Sequence, residues 1–306
     1  MILALSKTCL CRDVIINGKQ LTYAGRNEPV DGSKVSIIIP TFNAGETITR
    51  CLRSIRNQSY PRVEVIVVDN FSNDTTIDVA RAFGAKVLQQ KSNPASARNT
   101  GIVNSEGKYV FFVDSDQVLS RGVVEECVTE CEVENAGMVR VPELFIGEGF
   151  WGSCSAEWKN YYGKVERRYR AHGKILSGEP RFFVKEQLIR VGMFDASLLW
   201  GEDYDLYQRL KERNVKEVSC QSILYHIEPA SVKRIVTRNL RYGESMPTFM
   251  HHSDKQVFSR VVRHSLLAWG ESLSELPEKP DIAFGCTVLL GMKAFAMIAG
   301  LLANLA

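Results

Sequence analysis

A chain of 306 residues that is 45% apolar and 24% charged can bury a full α/β core, which excludes a disordered polymer as the starting expectation. Its formal charge of +3 is too small to mark a nucleic-acid binder by itself. Cysteines at 9, 11, 51, 127, 131, 154, 220 and 286 are spread through apolar segments rather than set in a framework, so free thiols in a reducing compartment are expected.

The first residues, Met1 to Lys7, carry no basic leader and only a short apolar run, so the N-terminus is expected to be retained and cytosolic. Val14-Ile15-Ile16 and Gln20-Leu21-Thr22-Tyr23 flank the turn-like Asn17-Gly18, which predicts a hairpin laid against the main domain within an extension over residues 1–33. A repeating pattern starts at Val35-Ser36-Ile37-Ile38-Ile39, a buried strand stopped by Pro40-Thr41-Phe42-Asn43. A helix follows from about Glu46 to Asn57 with Ile48, Cys51, Leu52 and Ile55 on one face. Val63 to Val68 reads as the second strand and ends in the polar loop Asp69-Asn70-Phe71-Ser72-Asn73-Asp74, which leads through Thr75-Thr76 into a helix. Ala85 to Leu88 is a short third strand, Ala95 to Asn104 a helix carrying Arg98 and Asn99, and Tyr109 to Val113 the fourth strand. This alternation predicts a mostly parallel sheet, with Asn43, Asp69, Asp114 and Asp116 converging on one edge at the strand C-termini.

Asp114-Ser115-Asp116 ends an apolar run, and two carboxylates brought so close repel each other unless a cation lies between them. The same pair also reads as solvated turn residues or a helix cap before Arg121, and the triplet alone does not choose. Cys127 and Cys131 lie one helical turn apart within a helix near Arg121 to Glu134. They extend the apolar face of Val123, Val124 and Val128, which fits core packing better than a metal site. After a strand near Gly137 to Val141 the pattern turns less regular and aromatic through Phe150, Trp151, Trp158, Tyr161 and Tyr162, as in an irregular pocket wall or simple packing. Phe182 to Val184 resumes a strand and Lys185 to Val191 a short helix. Trp200-Gly201-Glu202-Asp203-Tyr204-Asp205 then opens a helix running to about Arg213, whose acidic start suits either a cap or a partly desolvated site.

From Ser231 to His264 basic residues such as Lys233, Arg238, Arg241, Lys255, Arg260 and Arg263 interleave with apolar ones. The nearly unbroken apolar stretch Ile282 to Ala306 is long enough to cross a bilayer, lie along its surface or form a core helix. Together they suit a platform on an anionic membrane surface, and a solvated basic face on packed helices is the competing reading.

Taken together, Ser36 to Asn43, Val68 to Thr75, Ala97-Arg98-Asn99-Thr100-Gly101, Asp114-Ser115-Asp116 and Gly201-Glu202-Asp203 resemble a family 2 glycosyltransferase from about Val35 to His226. The resemblance implies a GT-A fold: α/β, a Rossmann-like, mostly parallel central sheet with helices on both faces. To this the chain adds a C-terminal helical segment with a membrane-associated character. Residues 34–230 would be the catalytic domain, with a donor half over about 34–120 and an acceptor half over about 121–230. Residues 231–306 would hold basic amphipathic helices and the hydrophobic helix.

The implied activity is inverting transfer of a sugar from a nucleotide-diphosphate donor to an acceptor hydroxyl or phosphate. The resemblance places Pro40, Thr41 and Asn43 at the nucleotide, Asp69 on the base, Arg98 near the phosphates, and Asp114 with Ser115 on the donor side. Asp116, supported by Asp114 and His226, would hold Mn²⁺ or Mg²⁺ on the diphosphate. Asp203 would be the general base, Glu202 its positioning partner or an acceptor contact, and Trp200 part of the acceptor floor. Asn70 and Phe71 depart from the Asp and Gly more usual in that loop. The implied partners are a nucleotide sugar, a glycan or lipid-linked acceptor and a membrane surface, with the enzyme on its cytoplasmic side and no nucleic acid. A haloacid-dehalogenase-like phosphatase also uses an Asp-x-Asp, but three strands precede it here. A nucleotidyltransferase shares the sheet but needs a Gly-rich, Arg-containing loop that this chain lacks after its first strand.

Overall fold

The computed structural model describes residues 13–16, 19–22, 32–170, 180–199, 201–252, 271 and 280–305. Met1–Gly32 form one compact unit and Ser33–Ala306 a second. In the first, β1 (Asp13–Ile16) and β2 (Lys19–Thr22) pair antiparallel with Ile16 opposite Lys19. The expected turn Asn17-Gly18 and the pair Cys9 and Cys11 lie outside the described residues.

The second unit opens with β3 (Val35–Thr41), α1 (Ile48–Arg56), β4 (Val63–Asp69), α2 (Thr76–Ala82), β5 (Lys86–Gln89), α3 (Pro94–Val103) and β6 (Tyr109–Phe112). It continues with β7 (Gln117–Leu119), α4 (Val123–Glu134), β8 (Met138–Arg140), β9 (Glu143–Gly147), α5 (Gly149–Arg170), β10 (Phe182–Val184) and α6 (Lys185–Arg190). The last elements are α7 (Glu202–Glu212), β11 (Glu217–Ser219), β12 (Leu224–Glu228), α8 (Val232–His252) and α9 (Pro280–Leu305).

Seven strands form the main sheet in the order β11-β8-β10-β6-β3-β4-β5. The β6-β3-β4-β5 block is parallel, and β10 runs against both β6 and β8. Val35, Ile37, Ile38 and Ile39 are all fully buried, so both faces of central β3 are covered, which is why this strand reads as an unbroken apolar run. Ile48, Cys51, Leu52 and Ile55 form the buried stripe of α1, and burying each Ile or Leu contributes about 1.5–3 kcal/mol. Cys127 and Cys131 lie with Val123, Val124 and Val128 on the buried face of α4.

The chain runs outward from β3 through β4 to β5 and then returns to β6 on the other side of β3. That reversal opens a crevice beyond the C-terminal ends of β3 and β6, where ligands bind in open α/β sheets. A second sheet, β7-β12-β9, hangs beside it, with β12 antiparallel to β7 and parallel to β9.

The aromatic stretch from Phe150 to Tyr162, expected to be irregular, is instead part of the helix α5. The physical reason is a 3.6-residue stripe that its glycines and rings disguised. Trp151, Cys154, Trp158 and Tyr161 recur three or four positions apart, and Cys154 and Tyr161 are buried. The helix α9 packs on α8 and α5, with Cys286, Leu289 and Ala296 turned inward. It is long and apolar enough to cross a membrane by length and composition. Lys255, Arg260 and Arg263 of the expected basic platform lie outside the described residues.

Candidate active site

Local rules carry the acidic groups to the crevice. On the donor side, Thr41 at the tip of β3 donates to Asp69 Oδ1 at 2.9 Å. Ser72 donates to the same carboxylate through its backbone N–H at 2.8 Å and its hydroxyl at 2.6 Å. Asp69 is therefore fully buried and fixes the loop rather than presenting a free carboxylate. Asn43 and Phe71 both adopt left-handed backbone, with φ of 50° and 56°, and Asn43 Oδ1 accepts from the Asn73 N–H at 2.9 Å. Those two turns leave Phe42 and Phe71 about half exposed at the crevice mouth. Pro40 lies within β3 opposite Val68, and Ser115 is half-buried between the two acidic residues.

The helix α3 begins with a capping box between Asn93 and Ser96 and with Pro94 in its first turn, a strong N-terminal signal. From it Asn99 clamps the backbone of Phe194 through two hydrogen bonds, of 2.8 and 2.9 Å, tying α3 to the loop that leads into α7. Gly201 caps α7 at φ 80°, a left-handed turn glycine takes without strain, and the helix starts on Glu202 and Asp203.

Arg98 meets both segments. Its guanidinium contacts Glu202 at 2.9 Å, Asp203 at 3.3 Å and Asp114 at 3.4 Å, and lies over the Phe194 ring at 5.4 Å. Its two terminal nitrogens pair with carboxylates, while its buried Nε has no described hydrogen-bond partner. Burial pushes the Glu202 carboxyl up to about 7, helped by neighbouring Asp203 and opposed by Arg98. The Asp203 side chain stays 42% exposed against 12% for Glu202, so Asp203 is the carboxylate of the pair that faces the cavity.

Two residues with no local sequence signal complete the centre. Arg181, immediately before β10, bridges Asp114 at 3.2 Å and Glu143 through a short contact. Because β10 is antiparallel to β6, the beginning of the one meets the end of the other. Burial opposes the charge on Asp114, but Arg181 and Arg98 together hold its carboxyl well below the usual range. Glu143 opens β9, and against its burial Arg181 and His226 hold it down at about 2.

The small sheet places His226 of β12 opposite Gln117 of β7 and Phe145 of β9. Its Nε2 lies 3.3 Å from Asp116 Oδ1. Its Nδ1 lies 3.4 Å from Glu143 and 3.3 Å from the Gln117 amide, and the ring stacks on Phe145 at 5.0 Å between centroids. Burial works against charge on this imidazole, but the hydrogen bonds to Asp116 and Glu143 raise it to about 9.

Five carboxylates, Asp114, Asp116, Glu143, Glu202 and Asp203, thus face two guanidiniums and one imidazole. The residual negative charge suits a cation. Among the described residues no three His, Cys, Asp or Glu side chains gather as a protein-only metal cage. Asp116 and His226 nevertheless fit two neighbouring positions of one ion, since ligands at about 2.1 Å from an octahedral centre sit about 3 Å apart. Glu143 behind Nδ1 supplies the carboxylate–histidine support such ligands usually have. Asp114 pairs with two arginines, Arg98 and Arg181. Trp200 lies outside the described residues.

The centre opens into a cavity of about 1320 Å³. Arg98, Arg181, Glu143 and Asp203 line one part, and α5 and α9 line another with Trp158, Tyr162, Leu290 and Met297.

Residues 36–189, about half of the chain, match the family described as Glycosyl transferase family 2. Among curated proteins, the glycosyltransferase AglE of Haloferax volcanii is 40% identical over 184 residues, covering 55% of this chain and 58% of that protein. The poly(ribitol-phosphate) beta-N-acetylglucosaminyltransferase TarP of Staphylococcus aureus is 36% identical over 177 residues, covering 55% of this chain and 46% of that one. The chain thus spans about half the length of these relatives. Among solved structures, the mannosyltransferase PcManGT from Pyrobaculum calidifontis in complex with GDP-Man and Mn²⁺ superposes with a TM-score of 0.59. That likeness, at 18% identity, covers 89% of this chain and 87% of the other and concerns the fold. The chain belongs to glycosyl transferase family 2 and has the GT-A fold.

Proposed function

We propose that the protein transfers a sugar, with inversion, from a nucleoside-diphosphate donor in the crevice to an acceptor hydroxyl in the cavity. One observation carries this reading: the strand-tip carboxylates and His226 are tied through Arg98, Arg181 and Glu143 to Asp203, and these last four line the cavity. Family membership supports it, as does the fold neighbour solved with GDP-Man and Mn²⁺.

In this reading Pro40, Thr41, Asn43 and Asp69 shape the nucleotide end, Asp69 acting through the loop it fixes, and Asp114 and Ser115 border the donor. Asp203 removes the proton of the acceptor hydroxyl as that oxygen attacks the anomeric carbon, a role suited to an exposed carboxylate on the cavity wall. Glu202 and Arg98 hold Asp203 in place. Asp116 and His226 would hold Mn²⁺ or Mg²⁺, with Glu143 and Gln117 orienting the imidazole. When bound, such an ion stabilises charge on the departing diphosphate.

Residues 34–120 serve the donor and 121–230 the acceptor, while the helices after 231 seat the enzyme on a membrane. Phe284, Phe295, Ile298 and Leu302 of α9 are each more than half exposed and recur along one helical stripe. The neighbouring α8 exposes Lys233, Arg234 and Arg241, which suits anionic lipid. The described cysteines are all free thiols, which suits the cytoplasmic side. The acceptor is then a glycan carried on a lipid.

A panel of nucleotide sugars with Mn²⁺ tests the reaction by its product. Nucleoside diphosphate, formed faster with acceptor present, is expected. Release of inorganic phosphate or of diphosphate would instead identify a phosphatase or a nucleotidyltransferase. Flotation with anionic vesicles tests the seat, and a chain that stays with the soluble fraction would remove the membrane from the account.

A further inference from the structure

Behind the ion pair of Asp116 and His226 lies a second polar cluster that the reaction does not use. Glu228 of β12 is fully buried. One of its oxygens takes Lys159 Nζ at 2.5 Å, and the other takes Ser155 Oγ at 2.7 Å and Arg238 at 3.4 Å. Lys293, the cation in the middle of apolar α9, reaches in and donates to Ser155 Oγ at 3.1 Å. Three cations therefore gather around Glu228, with Asp116 of the neighbouring centre also acting on Lys159 and Arg238, and the described hydrogen-bond partner of Lys293 is a hydroxyl. Such an excess is costly at low dielectric unless an anion joins it. Burial, and then Arg238, make the charge on Lys159 unfavourable as the cluster stands.

Lys159 and Lys293 both line the cavity that Asp203 borders. The wall around them is mostly apolar, with Trp158 and Tyr162 from α5 and Leu290, Ala294 and Met297 from α9, although Asn160, Lys164, Asn239 and Thr287 also line it. A pair of ammonium groups in an oily channel suits a phosphate attached to a hydrocarbon chain, and neither a free sugar nor a neutral lipid needs both features. Asp203, as a proton acceptor, calls for a hydroxyl rather than a phosphate as the attacking group. The phosphate would then be the linker between lipid and sugar.

Resting on the glycosyl-transfer reading above, we propose that Lys159 and Lys293 form an anion subsite for the phosphate of a lipid-phosphate-linked sugar acceptor. Its hydrocarbon chain would lie along α9 and its sugar hydroxyl would reach Asp203.

The test uses the full chain in mild detergent and three probes: farnesyl phosphate, farnesol and inorganic phosphate. Farnesyl phosphate is expected to raise the unfolding temperature well beyond either of the others. Lys293→Gln should weaken its binding about tenfold, and Lys293→Arg should keep it, because one charge-assisted hydrogen bond is at stake. Basal hydrolysis of the nucleotide sugar should be unchanged in both variants, which also shows that they are folded. Equal stabilisation by inorganic phosphate would reduce the subsite to a free-anion site, and equal stabilisation by farnesol to an apolar groove. Either result, or wild-type farnesyl phosphate binding in Lys293→Gln, overturns the proposal. If farnesyl phosphate binds as expected but no nucleotide sugar is turned over, the transfer reading fails while the subsite stands.

Discussion

The two ends of the cavity solve opposite electrostatic problems. At the sheet edge, carboxylates outnumber cations and are held by two buried arginines, so the surplus is negative and suits a metal ion. Between α5, α8 and α9 three cations gather around Glu228, with Asp116 also acting on Lys159 and Arg238, and this positive surplus is what the proposed phosphate would meet. On the proposed reading, burial need not demand local neutrality, because a ligand would complete the balance. The first end is also built on short strand tips that fix atoms closely. The second is built on long helices with apolar faces, so on the proposed reading donor chemistry and acceptor choice would rest on different kinds of scaffold.

The sharpest way to break this division is Asp203→Asn. If the sheet edge alone carries the chemistry, transfer should fall by about 10²–10⁴-fold while nucleotide-sugar binding, followed by calorimetry, persists. Near-normal turnover would remove Asp203 from its role. Arg181→Met attacks the balance itself, stranding Asp114 and Glu143 without their shared cation. A loss of about 3–5 kcal/mol in denaturant unfolding is expected, against little change for a surface arginine such as Arg190, which pairs with exposed Glu186.

A pH series sharpens the comparison further. Glu202 holds its proton up to about 7 in the folded chain and to about 4.5 when unfolded. Its contribution to stability is therefore complete below about pH 4.5 and is lost as pH rises towards 7. Glu202→Gln imitates the protonated form and should flatten that part of the profile, by at most about 1.4 kcal/mol per pH unit. An unchanged slope in thermal unfolding would assign the titration to another group. The smallest effects belong to the helical end. A Cβ at Gly300 would come within 2.1 Å of the Leu240 carbonyl oxygen, whereas one at Gly291 would meet nothing within 4 Å. Gly300→Ala should cost about 1–3 kcal/mol, and Gly291→Ala should gain about 1 kcal/mol from helix propensity. Melting both variants in the same detergent checks the pair.

Much of the donor side was legible in the residues. Ile37 to Ile39, Ile66 to Val68 and Tyr109 to Phe112 are buried on both faces, so their apolar runs announce parallel strands, and polar residues straight after them must emerge at one edge. Glu143 and Arg181 were invisible for the converse reason. Glu143 opens the five-residue β9, Arg181 immediately precedes the three-residue β10, and their partners are distant in the chain, so no local spacing marks them. The small sheet was missed because exposed Leu144 and Ile146 on β9 read as loop residues, although they alternate with half-buried neighbours. The α5 stripe was present in the sequence, but Gly152, Gly163 and the clustered rings obscured its period.

That small sheet imposes a tolerance of one residue. Because His226 stands opposite Gln117 and Phe145, sliding β12 by a single position would bring Tyr225 or Ile227 to the row beside Asp116 and leave no imidazole there. Length changes should be absorbed in the bend at 220–223, before β12 begins, and should be ruinous between Leu224 and Glu228. The part of the molecule proposed to hold the ion is thus the part least able to accept an insertion, although its strands are only three to five residues long.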